Sequence, residues 1–356
     1  MAEPTPPIAE SARRGATLRE LGRSPVFTAV LALVLVLILG VVLPGPAPTK
    51  YGPDGEEITG TAAFYKWSTH RDALRQASVY GTLACGMTVV IITAGIDLSV
   101  GSVLALTAVC FSIFAIQWGW SAWGAIPACL LVGACCGMVS GSLVARFAIQ
   151  PFVVTLAMMV FARGLAKYVS GGMKVSTAVQ NPDGTYAYVD VPAIFLAIDS
   201  RLLGGNISVV TLVFIAGVAV SWVLLSRLRW GRYMYAIGGN EPAARLSGVP
   251  VAAMKVLAYG LSGLFAAVAG ICQAAQEQQG DPETGMAYEL SAIAIVVIGG
   301  TSLMGGRGGI GLTLLGTLII GYIDKILSIN AVGEASRLML TGAIIVAAVL
   351  VQRRRA

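Results

Sequence analysis

The run from 26 to 43 contains no charged residue and only one hydroxyl, Thr28. Such a stretch has no stable place on a water-facing surface. About 20 mostly apolar residues in helical form cross a bilayer core, and a helix is the one single-segment structure that satisfies its own backbone there. Comparable runs follow at 79–94, 101–117, 124–148, 152–169, 207–225, 255–275, 289–304, 309–324 and 336–351. Only 12% of the 356 residues are charged, roughly half the fraction of an ordinary soluble domain. The expectation is an all-α, polytopic membrane protein of about ten transmembrane helices. The first span follows a polar tail and no Ala-x-Ala site follows Leu43, so it reads as a retained span and not a cleaved signal peptide.

The organisation that follows is a cytoplasmic tail at 1–25, a transmembrane domain at 26–351 and a basic tail at 352–356. Ten spans put both termini on one side, and the distribution of Lys and Arg selects that side. Arg13, Arg14, Arg19 and Arg23 precede the first span. Arg227, Arg229, Arg232, Arg245 and Lys255 occupy the connector 226–255, and Arg353, Arg354 and Arg355 close the chain. With Arg146 and Arg307 they mark the cytoplasmic face. The opposite side collects Asp54, Glu56, Glu57, Asp183, Asp190, Asp199, Glu277, Asp281 and Glu283. Two connectors there are long, 44–77 and 171–206, the second carrying an Asn-Pro-Asp-Gly turn at 181–184. They suit either tolerated insertions or a docking surface for an external partner.

The net charge of +6 is spread between apolar runs and does not form the basic face of a nucleic-acid binder. Cys85, Cys110, Cys129, Cys135, Cys136 and Cys272 fall in or beside apolar stretches without metal-ligand spacing. The single histidine, His70, sits in a polar connector, so no base or metal ligand set for intramembrane hydrolysis is present. No metal site and no catalytic residue is expected.

Three segments carry the remaining information. The first is Thr93-Ala94-Gly95-Ile96-Asp97-Leu98-Ser99-Val100-Gly101-Ser102, where an aspartate stands between glycines at the junction of two apolar runs. Ionisable residues at membrane depth are costly and point to function; equally, Asp97 or Ser99 suits the N-cap of the next helix. The second is Gly238-Gly239-Asn240-Glu241-Pro242-Ala243-Ala244-Arg245-Leu246-Ser247-Gly248. It reads as one short helix with Asn240 as N-cap, Pro242 in the first turn, Gly248 at the C-terminal turn and Glu241 and Arg245 paired at i,i+4. Two turns are unstable alone, so this helix docks on the protein's own face, on another subunit or on anionic lipid; another subunit is the favoured partner.

The third is Gly299-Gly300-Thr301-Ser302-Leu303-Met304-Gly305-Gly306-Arg307-Gly308-Gly309. No Lys-Ser/Thr follows a suitably spaced glycine, so this is no phosphate loop and the chain has no Walker A motif. The segments 89–107 and 295–314 both pass from an apolar stretch through a Gly/Ser break into another, a weak internal repeat of broken helices such as transporters use. Arg163 and Lys167 near the end of the fifth run, and Asp324 and Lys325 ending the ninth, read as side chains snorkelling to the interface.

With Gln150-Pro151-Phe152-Val153-Val154-Thr155-Leu156 and Arg163-Gly164, these segments resemble the permease subunits of ribose-type ATP-binding-cassette sugar importers over about 75–350. The resemblance implies a bacterial inner-membrane subunit acting with a second permease copy and a cytoplasmic ATP-binding-cassette ATPase. A periplasmic or tethered sugar-binding protein would deliver the solute. The chain itself would bind no cofactor, the ATP being used by partner subunits. The family's coupling helix matches 238–248, so Gly239, Asn240, Glu241, Ala244, Arg245, Ser247 and Gly248 would engage the ATPase. Asp97, Ser99, Gly101, Ser102, Gly300, Thr301 and Ser302 would lie near the translocation pathway. The chain departs from the family in a longer 44–77 connector, in Asp324-Lys325 where many members carry asparagines, and in Ala157 where glycine is common.

A monosaccharide moved by alternating access is the implied function. An ion-gradient-driven carrier, with Asp97 as its coupling carboxylate, and the same importer machinery acting on a polyol or another small non-sugar are the alternatives.

Overall fold

A computed structural model describes residues 24–46, 49–51, 57–59, 61–180 and 185–353. Arg13, Arg14, Arg19, Arg23, Asp54, Glu56, the 181–184 turn, Arg354 and Arg355 lie outside the described residues.

All ten apolar runs lie on helices. We number these α1 (Pro25–Val42), α2 (Trp67–Ile92), α3 (Val100–Ser112), α4 (Ala122–Phe147), α5 (Pro151–Val169), α6 (Ala193–Asp199) and α7 (Val209–Ser226). The chain continues with α8 (Arg229–Gly239), α9 (Glu241–Leu246), α10 (Val251–Glu277), α11 (Tyr288–Gly299), α12 (Ile310–Ile329) and α13 (Glu334–Arg353). A π-helical turn, Ile113–Gln117, extends α3. Seven of these helices are long and apolar enough to cross a membrane, namely α1, α3 with its π turn, α4, α5, α7, α10 and α12; α11 is a shorter apolar helix. The protein is therefore polytopic and all-α. Its only strands, among the described residues, form three two-stranded antiparallel ladders: β1 (Thr49–Tyr51) with β2 (Glu57–Thr59), β3 (Ala178–Gln180) with β4 (Tyr186–Tyr188), and β5 (Arg201–Leu202) with β6 (Ile207–Ser208).

Helix starts follow local chemistry. Ser24 Oγ accepts from Phe27 N at 3.1 Å with Pro25 in the first turn, and Ser208 Oγ accepts from Val210 N at 3.3 Å. Several boundaries depart from the hydropathy reading, each for a visible reason. Helix α2 begins at Trp67, well before the apolar run at 79. Its polar first turns project to meet the 171–206 connector: Arg71 donates to Gly205 O (2.7 Å), Arg201 pairs with Asp72 (2.6 Å) and Arg75 pairs with Asp199. Helix α7 starts at Val209 because Ile207 and Ser208 pair with Leu202 and Arg201. Helix α11 stops at Gly299, and 300–309 is irregular, since Gly300, Gly305, Gly306 and Gly308 all take positive φ. Asp324 and Lys325 do not end α12, which continues to Ile329.

Helix α3 is the buried centre, with every residue from Val100 to Val109 inside the protein. Helices α1, α4, α5 and α7 instead turn large apolar side chains outward, among them Leu35, Leu131, Val160 and Val220, as a lipid-facing shell requires. Helices α4 and α10 approach backbone to backbone. A Cβ on Gly133 would overlap Gly263 O, one on Gly137 would overlap Tyr259 O, and one on Gly141 would lie 2.8 Å from Val256 Cα. Glycines four apart on one helix face permit this contact where bulk apolar attraction between helices is weak.

Gly137→Val should therefore separate α4 from α10 and destabilise the protein by about 1–3 kcal/mol. A fall of several degrees in the detergent-solubilised melting temperature is the expected readout. Gly164→Ala, at a helix position with nothing within 4 Å of the new methyl, should leave it unchanged or raise it.

Candidate functional site

The linker 93–99 between α2 and α3 is held from three sides. The Asp97 side chain is 1% exposed. Its Oδ1 accepts from Ser99 N (3.0 Å) and Ser99 Oγ (2.6 Å), and its Oδ2 accepts from Ser262 Oγ of α10 (2.7 Å). Ser99 is the N-cap residue of α3 but makes no side-chain cap bond; its own amide and its hydroxyl both donate to Asp97 Oδ1 instead. Tyr259 OH and Thr155 Oγ1 both donate to Ile96 O at 3.3 Å, so α5 and α10 satisfy a carbonyl that the helix break releases. Ser102 is buried, and Gly101 lies against Gly285 O with the Glu289 carboxylate beside it.

The linker 300–309 between α11 and α12 has Thr301 fully buried, with Gly309 N donating to its Oγ1 at 3.4 Å and Gly308 packed on it. Gly300 takes φ +111° to leave α11, and Ser302 N donates to Arg307 O at 3.0 Å. This linker meets the first. Gly306 N donates to Ile92 O at 3.0 Å, and Gly305 packs on Ala94. Gly238 of α8 fills the same spot, where a Cβ would overlap both Ile92 O and Gly306 N, while Tyr235 OH donates to Gly308 O at 2.9 Å. The three segments singled out in the sequence thus converge at one end of the bundle.

The segment 238–248 holds the expected short helix, α9, just past the end of α8. Gly238 and Gly239 finish α8, and Asn240 turns the chain with extended backbone before α9 begins. As expected, Asn240 Oδ1 accepts from Ala243 N at 3.0 Å, Gly248 takes φ +81° past the end, and Arg245 pairs with Glu241 at 3.1 Å. Lys255 of α10, absent from the sequence reading of this helix, also binds Glu241 at 2.7 Å. Ala244 faces inward onto Ile237, Val251 and Met254. Arg245, Leu246, Ser247 and Gly248 face outward, and Leu246 is 90% exposed. Leu246 escaped the sequence reading, because almost any face of so short a helix can turn inward.

At the opposite end, Arg163 does not snorkel. It donates to Pro282 O and Thr284 O, both at 2.6 Å, and so fixes the irregular chain between α10 and α11. Lys167 pairs with Glu283 (2.5 Å) and Lys174 with Asp281 (2.9 Å), while Val175 and Gly280 exchange backbone hydrogen bonds at 2.8 Å. Asp324 pairs with Arg337 of α13 at 3.1 Å, not with the interface. Beside that pair lies a cavity of about 170 Å³ between α2, α11, α12 and α13, lined by none of the translocation candidates named from the sequence. All six cysteines are free thiols. Among the described residues, no group of three or more His, Cys, Asp or Glu side chains is placed to hold a metal.

These features describe a multi-pass helical membrane protein with two interrupted helices in contact and a short ordered helix projecting from the end where they meet. The chain belongs to the family described as the permease component of the branched-chain amino acid transport system, whose pattern matches residues 71–349. It is 41% identical over 295 residues to the ribose import permease protein RbsC of Escherichia coli K12, covering 82% of this chain and 88% of that one. It is 33% identical to the fructose import permease protein FrcC of Rhizobium meliloti (94% and 86% covered). It is also 35% identical to the L-arabinose transport system permease protein AraH of Escherichia coli K12 (78% and 80%). No solved structure matches the chain.

Glu241 titrates below its ordinary value. Partial burial acts to raise it, and hydrogen bonds and charge from Lys255, then Arg245, outweigh that. A carboxyl depressed on folding stabilises above its unfolded value, near 4.3, and loses that contribution as pH falls through the folded value. Limited proteolysis of the 240–250 connector should therefore be slow at neutral pH and accelerate on acidification below about pH 4.3. Glu241→Gln should raise the neutral rate and flatten the profile.

Proposed function

We propose that the chain is the membrane-spanning subunit of an ATP-binding-cassette importer and carries a monosaccharide of the ribose type inward by alternating access. The observation that carries this reading is the exposed end of α9. A two-turn helix, clamped from behind by Lys255 and Ala244, holds Arg245 and a 90% exposed Leu246 away from the bundle. On this reading Leu246, exposed at the tip of α9, enters a cleft of the ATPase subunit. The three curated relatives, named for ribose, fructose and arabinose, support a single-ring sugar.

On this reading the α9 end faces the cytoplasm, since it carries Arg146, Arg227, Arg229, Arg232 and Arg307, and both termini lie on that side. The opposite end, with its three ladders and ion-paired connectors, meets the sugar-binding protein. A second permease copy completes the pathway. Asp97, Ser99, Gly101, Ser102, Gly300, Thr301 and Ser302 serve as the packed supports of the two interrupted helices beside that pathway. Rocking of α9 reaches them directly through Gly238, Gly306 and Ile92. High affinity resides in the delivery protein, because a permeation site that holds tightly releases slowly.

Co-purification from the native membrane in mild detergent tests the assignment. The intact chain should bring down an ATPase carrying a Walker motif and a sugar-binding protein. Leu246→Glu should abolish ATPase recovery, and Arg245→Glu should weaken it, with the permease itself still monodisperse. Undiminished ATPase recovery in both variants would remove α9 from the contact. Uptake by the chain alone in liposomes, collapsing with an ion gradient and needing no ATPase, would overturn the importer reading as a whole.

A further inference from the structure

We infer that the cavity between α2, α11, α12 and α13 is a transient binding site for one neutral monosaccharide, placed at the end of the bundle where solute arrives; the inference rests on the proposed import function. The cavity is built as a sugar site is built. Its polar side presents Asp324 and Arg337, paired at 3.1 Å. Together they offer carboxylate acceptors and guanidinium donors while adding no net charge, which suits a ligand that carries hydroxyls and no charge. Arg337 Nε is buried and has no hydrogen-bond partner, a donor left over after the pair is made and one that a native structure ordinarily satisfies.

Tyr80 and Tyr288 form the aromatic side, with ring centroids 4.5 Å apart, and such rings cover the apolar C–H face of a sugar. Gln76 adds a further polar group to the lining. The cavity of about 170 Å³ is of a size with one small sugar ring. The pair stands at the end of the bundle with its side chains 29% and 39% exposed, within reach of an arriving solute. A structural brace does not need the open space beside it, whereas a ligand site does.

The experiment uses the full complex of permease, ATPase and binding protein in liposomes. It starts with ATP-dependent uptake of D-ribose, D-fructose and L-arabinose. Thr341→Cys, checked for retained uptake, is then labelled from outside with a small charged thiol reagent, with the parent protein as background. The transported sugar should slow labelling by a factor of one plus its concentration over Kd, about tenfold at ten times Kd. Glycine betaine at equal concentration should not slow it.

The double variant Asp324→Asn/Arg337→Gln removes both charges without stranding either, and in the Thr341→Cys background it should abolish the protection. Ser291→Cys, on the opposite wall, repeats the labelling should Thr341→Cys fail to assemble. A sugar that is transported yet leaves both cysteines unprotected at saturating concentration overturns the site while leaving the importer reading intact. Absence of ATP-dependent uptake for all three sugars overturns the sugar reading, and the site with it.

Discussion

Every released carbonyl in a membrane-embedded helix break needs a donor from elsewhere in the protein, because lipid supplies none. The architecture meets that demand at the 93–99 interruption and in the connector between α10 and α11. Ile96 O is taken by Tyr259 and Thr155, Ile92 O by Gly306 N, and Pro282 O with Thr284 O by Arg163. Each donor sits on a different element from its acceptor, so satisfying the breaks also fastens α5, α10 and the 300–309 linker to α2, α3 and α11. The buried aspartate belongs to the same arrangement. Asp97 gathers one amide and two hydroxyls, which leaves neither oxygen free.

The second dependence is on absent side chains. Gly238, Gly305 and Gly306 let α8 and the two linkers touch through backbone atoms, and Gly133, Gly137 and Gly263 do the same for α4 and α10. Backbone contacts have no rotamers through which to relax, so they transmit displacement better than flexible side chains do. Under the proposed reading this is why the projecting helix sits where it does. Its predecessor α8 ends in Gly238 and Gly239, in contact with both interruptions.

Much of this was legible in the residues. Long apolar runs gave the helices, Asn240, Pro242 and Gly248 gave the ends of α9, and the glycines around Asp97 and Thr301 marked the interruptions. What the pattern lacked was partnership at a distance. Hydropathy placed the start of α2 at 79 because polar residues precede it, yet Arg71, Asp72 and Arg75 are helical and bind the connector near 200. Arg163 and Asp324 look like interfacial charges when only their own helix is in view. Their partners lie more than a hundred residues away for Arg163 and on the following helix for Asp324. Leu246 was overlooked because exposure cannot be read from a helix of two turns, where almost any face can turn inward.

The division of charge between the two ends links fold to direction. Toward the α9 end, Arg227, Arg229 and Arg232 have no salt bridge among the described residues, and Arg245 is shared with Glu241. At the other end Arg75, Arg201, Lys167, Lys174 and Arg337 each meet a carboxylate. Positive residues in the short segments that flank the spans resist translocation during insertion, whatever they pair with afterwards. Under the proposed reading, the end that braces its own connectors receives the solute, and the end that keeps its cations stays in the cytoplasm beside the ATPase.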